Sequence, residues 1–385
     1  MGTNLKKMAL ASGLSVALAA GAGFADAREL RFASGATHGS IGSKAVEAFT
    51  SAAGEKSGGD VQVRAFMQSL LSFMETPSGL RDGLADIGAV LTPYFSSDFP
   101  ATIMITELTM LLELDDVSAR EATYAFSGAI SEFVFQNCPE CVKEYSDRNQ
   151  VFLGIAGSTP YNLLCNTPVR TADEMRGKRI RIGGPQWSRW ATEMGASPVS
   201  MAVNDTYEGL GQGVIDCTAH NLPDLTSFNF IEVISDVTLG VPGGIFGGIA
   251  THANRDTWTG LAPDQREAVM YASAAIAAEL AWLYAEDHDA NLQLVHDRPD
   301  ITVHEADEDF RTKTREFIEK DMVAIADRYK ERHNLNRADE MVAEFRVVLD
   351  RWLEITKGVE TNTDLTELYW NEVFSKVDVN SYGLR

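Results

Sequence analysis

Hydrophobic and polar positions along the chain fall into two blocks that read alike. Arg28 to Ala33 (RELRFA) predicts a strand. A loop then runs into a helix with an apolar stripe, closed by Gly58-Gly59. Val61 to Phe66 reads as the next strand, Thr76-Pro77-Ser78 opens a short helix, and Gly88 to Leu91 is a buried strand. This β-α-β-α-β order predicts a parallel sheet covered on its faces. Residues 95–145 read as mostly helical, with a helix ending at Asn137, and Val151–Ile155 and Tyr161–Cys165 read as strands. Thr171 followed by Glu174 has the form of a capping box, which predicts a turn of helix.

The stretch from Arg176 to Asn221 repeats the order. It holds the strand KRIRI, a helix with two tryptophans, a second strand and helix, and a third apolar strand, GVID, that leads to His220 and Asn221. Two such units predict two α/β lobes. Gly240 to Gly248 is dense in glycine and precedes the strand IATHAN. From Pro263 to about His296 the chain predicts one long alanine-rich helix with Pro263 at its first turn. Residues 305–358 predict two or three charged amphipathic helices, and the aromatic-rich C-terminus has no clear period. With neither a repeat of fixed period nor a low-complexity linker, the lobes are expected to pack closely, the chain crossing between them more than once.

The 385 residues are 45% hydrophobic and 23% charged, enough for a sizeable core, and the length favours two domains. The formal net charge of -22 removes any general attraction to nucleic acid or to an anionic membrane surface. At the N-terminus, Lys6 and Lys7 precede a short apolar run, and Ala25-Asp26-Ala27 fits a cleavage site. Residues 1–27 are therefore expected to be a secretory leader, which places the mature chain outside the cytoplasm. There disulfides persist, and Cys138, Cys141, Cys165 and Cys217 allow three pairings if all are bridged.

Arg179 and Arg181 stand on one face of the strand KRIRI, close before Gly183-Gly184 and a helix start. Ligands of open α/β sheets sit at the carboxyl ends of strands, and arginine suits a carboxylate because its planar fork makes two parallel bonds. Spacing does not choose between the two arginines. His220 and Asn221, at the next strand end, are candidate polar contacts, and Trp187 and Phe246 are candidate pocket walls, with Trp190 assigned to the core. Cys138-Pro-Glu-Cys141 comes at a helix end, where a local bridge is expected rather than a redox centre. Acyl-hydrolase, zincin, P-loop and dinucleotide signatures are lacking, so no enzyme, metal site or cofactor is expected.

The segment TADEMRGKRIRIGG…EMGASPVSMAVNDTYEGLGQGVIDCTAHN resembles the solute-binding proteins of tripartite ATP-independent periplasmic (TRAP) transporters. Weaker similarity lies in LRDGLAD and in LAPDQR, at residues 80–86 and 261–266. The resemblance implies a two-lobed periplasmic binding protein fold. Each lobe would be a mostly parallel sheet flanked by helices, and a long helix would span both. It would put residues 28–155 and 248–275 in lobe I, 156–247 and 276–358 in lobe II, and 359–385 in a C-terminal extension. It also implies that Arg181, not Arg179, pairs with a substrate carboxylate.

His220 falls where the family carries a ligand-supporting amide, Cys217 where it carries glycine, and Val203 where some members place phenylalanine. Tyr161 falls where many acid-binding members place a second arginine or polar residue. Thr37, His38 and Tyr94 are candidate contacts from lobe I. The expectation is a monomeric periplasmic receptor. It would close around a small organic acid, a carboxylate or sulfonate, and deliver it to a membrane permease. The alternatives are an ABC-type or sensor-linked receptor, or a periplasmic thiol oxidoreductase using the CxxC.

Overall fold

The computed structural model describes residues 27–115 and 117–384, so the expected leader lies outside the described residues save for Ala27. The chain begins with β1 (Arg28–Ser34), α1 (Ile41–Lys56), β2 (Val61–Met67), α2 (Thr76–Arg81) and β3 (Ile87–Leu91). Helices α3 (Pro100–Glu107), α4 (Ala119–Gln136) and α5 (Pro139–Ser146) lead to β4 (Gln150–Ala156). Next come β5 (Asn162–Cys165), β6 (Arg179–Ile182), α6 (Pro185–Glu193), β7 (Ser197–Ser200), α7 (Val203–Gly211), β8 (Cys217–His220), α8 (Asp224–Ser227) and β9 (Asp236–Leu239). The chain returns through β10 (Ile249–Asn254) and α9 (Arg255–Gly260). It ends with α10 (Pro263–Asp297), β11 (Thr302–Glu305), α11 (Glu308–His333), α12 (Ala338–Ile355) and α13 (Asn362–Glu372).

Two sheets form two lobes. The first has the order β2-β1-β3-β10-β4 and the second β11-β9-β5-β8-β6-β7. Each is parallel except for one strand: β10 runs against β3 and β4, and β5 runs against β8 and β9. Each reversed strand is the first that the chain lays down after crossing between lobes. The two crossings that lead into these strands, 157–161 and 240–248, lie side by side. Tyr161 N donates to Gly244 O (2.9 Å) and Gly243 N to Tyr161 O (3.2 Å). Gly243 and Gly244 have φ of +70° and +69°, and an added Cβ would meet Glu113 or Met110 at 2.3–2.4 Å, so only glycine fits there.

The β1-to-β3 and β6-to-β8 units match in detail. Phe32 pairs with Ile87 as Ile180 pairs with Cys217. Leu84 N closes onto Gly79 O at 2.8 Å, and Val214 N onto Gly209 O at 2.8 Å. Arg31 bonds Asp86 through Nε at 2.8 Å, and Arg179 bonds Asp216 through Nε at 3.0 Å. The two halves are thus built on one plan without a fixed sequence period. The match also explains Arg179: like Arg31, it ties the start of its strand to the turn that enters the neighbouring strand.

Helix α10 packs on α1, α4 and β4 of lobe I and touches β11 of lobe II, so one helix serves both lobes. Its most apolar window is 78% buried against the protein, as expected of a core helix.

Several sequence expectations are corrected. GVID is a turn, not a strand: Gly213 has φ +65°, Asp216 is taken by Arg179, and β8 begins at Cys217. Thr171 opens turns rather than a helix, because the Glu174 carboxylate is claimed by Arg170 N (2.6 Å) instead of closing the box. The C-terminus forms α13, capped by Thr361 and Asp364, and its Phe374 lies against Gly154 of β4.

Candidate functional site

A cavity of about 60 Å³ lies between the lobes, room for only a few waters, so the cleft is nearly shut. Lobe I supplies Ala36, Phe73, Ala89 and Leu91, and α10 supplies Ile276 and Leu280, so that side is largely apolar. Lobe II and the crossings supply Tyr161, His220, Asn221, Asp224 and Phe246. No Lys or Arg lies in this wall among the described residues.

The cation lies just behind it. Arg181 sits at the C-terminal end of β6, where parallel strands present ligand contacts, and it is fully buried. Its Nε donates to Met201 O (3.0 Å) and its Nη2 to Tyr94 Oη (2.7 Å), while Nη1 has no partner among the described residues. No carboxylate lies within 4.0 Å of the guanidinium among the described residues. Arg179, on the same face two residues earlier, is half-exposed and spent on Asp216. The positions in lobe I that correspond to Arg181 and His220 are Ala33 and Val90, which pack with Leu71, Leu80 and Ala85. One plan thus yields an apolar cluster in one lobe and a cationic strand end in the other.

Tyr94 also accepts from Val203 N (3.2 Å), so both its lone pairs are used and its proton is left for a further acceptor. Behind the cavity the aromatic rings form a stack. Trp187 lies 4.1 Å from Tyr161, and Tyr161 lies 5.2 Å from His220, all nearly parallel. Trp187 does not line the cavity; it is fully buried and donates to Gly243 O (2.9 Å), fixing the crossing that carries Phe246. A Cβ on Gly183 would sit 3.2 Å from Tyr161 Oη and 3.4 Å from Phe246, so this glycine admits both rings beside the strand end. Trp190 is buried, stacked on Phe310.

His220 and Asn221 follow from β8 and meet Asp224. Asn221 Nδ2 donates to Asp224 Oδ2 (2.9 Å) and Asn221 Oδ1 accepts from Asp224 N (3.0 Å), so its amide is spent on holding Asp224. His220 Nδ1 is 3.2 Å from Asp224 Oδ2. Burial, then the nearby Arg181, hold the imidazole well below its ordinary pKa, so it is neutral. Burial pushes the Asp224 carboxyl up to about 7, against the pull of Asn221, Tyr284 and Arg181.

The family model described as bacterial extracellular solute-binding protein, family 7, matches residues 32–328. The chain belongs to this family. A solute-binding protein of Sulfitobacter sp. (strain NAS-14.1) is 26% identical over 162 residues, covering 42% of this chain and 46% of that protein. One from Chromohalobacter salexigens is 23% identical over 303 residues, covering 75% of this chain and 81% of the relative. A marine-metagenome TRAP solute-binding protein specific for aromatic acid ligands, solved with 3-hydroxybenzoate, superimposes with a TM-score of 0.71. It is 19% identical and covers 85% of this chain and 99% of its own. The TRAP resemblance and the two-lobed α/β fold expected from sequence therefore hold.

In this family 7 protein the lobes are held together across the cleft. Thr37 Oγ1 donates to Ser227 O (2.9 Å) and Asn204 Nδ2 to Gly35 O (3.0 Å), beside the Arg181–Tyr94 bond. Thr37 thus bridges the lobes at the rim, outside the cavity wall, and His38 is exposed on the same loop. Cys138 is bridged to Cys141 and Cys165 to Cys217. The first pair is buried and bonded, leaving no accessible thiol. The second joins facing residues of β5 and β8, which explains cysteine at the position the family gives to glycine. Sequence reading missed Asp224 and Tyr284. Tyr284 had a signal: with Ile276 and Leu280 it forms a stripe at four-residue spacing on α10. Asp224 had none, since one acid in NLPDLTSF looks like any surface aspartate.

Proposed function

We propose that this protein is the periplasmic receptor of a TRAP transporter, and that it captures a small organic acid bearing one carboxylate on an apolar body. The observation that carries the reading is Arg181: a buried arginine at a strand end, behind a cavity between two lobes, with neither an anionic partner nor a partner for Nη1 among the described residues. A charge-assisted hydrogen bond to such a group contributes roughly 1.5–3 kcal/mol. The apolar lobe I wall favours a hydrocarbon or aromatic body, in keeping with the aromatic acids named for the metagenomic neighbour. The same wall holds Asp224 and, among the described residues, no cation to add to Arg181 behind it, which disfavours dicarboxylates. The ligand loads on Arg181, His220 and Tyr161, and lobe I closes with Tyr94, Phe246 flanking the cavity. Closure is favoured because the ligand contacts both lobes only in the shut form, and the shut form is what a membrane permease receives.

The test is a thermal-shift panel of monocarboxylates, dicarboxylates, sulfonates and uncharged analogues. An acid at a hundred times its Kd stabilises by about 2.7 kcal/mol, and the shift should vanish in Arg181→Ala. Stabilisation by non-acids alone would sink the reading.

A further inference from the structure

The cleft buries two ionisable groups of opposite sign that do not pair with each other. Arg181, at the end of β6, lies just behind the cavity wall, whereas Asp224, from the start of α8, is 3% exposed and lines the cavity. Among the described residues no Lys or Arg lies within 4.0 Å of Asp224; the ring nitrogen beside it belongs to the neutral His220. Its other side-chain neighbours are neutral as well: Asn221 Nδ2 on Oδ2 at 2.9 Å, and Tyr284 Oη at a long 3.4 Å from Oδ1. A carboxylate offers about four lone-pair sites, so Oδ1 keeps capacity toward the cavity.

The spacing suits one small molecule. Thr218 is the parallel partner of Arg181, and His220 stands two residues further along β8 on the same face. A strand separation of ~4.8 Å and a rise of ~3.3 Å per residue put the Cα atoms of Arg181 and His220 about 8 Å apart. Asp224 lies directly against His220. Arg181 and the His220–Asp224 pair therefore stand at the ends of neighbouring strands.

An acid in the wall of an acid-binding cavity is costly by itself. Ionised, it is an unpaired buried charge that repels the ligand's carboxylate; protonated, it still needs a hydrogen-bond partner. A donor on the ligand compensates the ionised form, and a hydroxyl, which also accepts, serves either form.

We propose that Asp224 is a second recognition point, accepting a hydrogen bond from a hydroxyl or ammonium group on the same acid whose carboxylate Arg181 holds. The proposal rests on the acid-receptor reading above. It narrows the ligand class to hydroxy or amino acids with an apolar body. Asn221 and Tyr284 are positioning residues that aim the carboxyl into the cavity.

The test is titration calorimetry on two matched series. One is 4-methylpentanoate, 2-hydroxy-4-methylpentanoate and leucine; the other is 3-phenylpropanoate, 3-phenyllactate and phenylalanine. In at least one series a donor-bearing member should bind the wild type ten-fold or more tighter than the donor-free acid. Asp224→Ala should bring that ratio to within about two-fold. The shape-conserving Asp224→Asn separates the sources: an ammonium preference collapses, whereas a hydroxyl preference is largely kept by the amide oxygen. Equal affinity across each series in the wild type, or a preference that survives both variants, overturns the proposal. If no acid binds the wild type at all, the acid-receptor reading falls instead, which is a different outcome from equal binding.

Discussion

Arg181→Met should abolish acid binding and leave the empty protein at least as stable as the wild type. Arg181 is fully buried, and its only partners among the described residues are two neutral oxygens, Met201 O and Tyr94 Oη. Burying a charge without a counter-ion costs several kcal/mol even after relaxation, and hydrophobic residues of similar volume often restore 1–4 kcal/mol. Against this, losing a donor on each of the two oxygens costs roughly 1–3 kcal/mol, partly offset because Tyr94 keeps the bond from Val203 N. The balance is a gain of about 0–2 kcal/mol, or an unfolding midpoint higher by up to about 5 °C. Two charged hydrogen bonds to a carboxylate, at roughly 1.5–3 kcal/mol each, make the affinity loss about 10²- to 10⁴-fold. Both quantities come from one experiment: thermal unfolding with and without 2-hydroxy-4-methylpentanoate or 3-phenyllactate. A midpoint several degrees below wild type, with native circular dichroism, would make Arg181 a structural cation and refute the argument.

Other outcomes follow from the same physics. Replacing Cys165 and Cys217 by serine should cost about 4 kcal/mol on the loop-entropy estimate, since they close a separation of 52 residues; the same change at Cys138 and Cys141, three apart, should cost about 2 or less, as read by urea unfolding. Glu144 accepts from Ala101 N and Thr102 N, yet burial pushes it up to about 7. Folding therefore favours its protonated form, its contribution is fully present below about pH 4.5, and it is lost as pH rises through about 7. The difference in stability between wild type and Glu144→Gln should change by on the order of 3 kcal/mol over that window, and a flat difference would remove Glu144 as its source. Arg189→Leu should destabilise by about 3–5 kcal/mol in denaturant, because Arg189 bonds the buried Glu107 (2.6 Å) and Asp321 (2.5 Å), and among the described residues Glu107 would keep only Tyr329 as a side-chain partner.

Much of the architecture was legible because both β-α-β-α-β units carry strong periodicity and clear glycine punctuation. The failures have physical causes. Strands β9 (DVTL) and β11 (TVHE) are four residues long and half polar, so they exist only by pairing with each other and, for β9, with β5. GVID is apolar enough for a strand, but Gly213 in the left-handed region makes it a turn, with Val214 48% exposed. Arg179 and Arg181 share a face, and alternation could not part them. What parts them is position along the strand: one meets Asp216 at the exposed start, the other is sealed at the far end. Asp224 could not be read at all, because its meaning depends on what α8, β8 and α10 bring together.

The matched units differ in where they place charge, and this sets an order of events. Arg181, His220 and Asp224 all belong to lobe II, whereas lobe I adds apolar surface, hydroxyls and the Tyr94 latch. If the solute is held as proposed, encounter falls to one half of the molecule and the other half acts afterwards as a lid. Changes to Arg181 should weaken the first docking of the solute. Changes to Tyr94 or Phe73 should instead shorten its residence, so on-rates and off-rates in this receptor answer to different lobes.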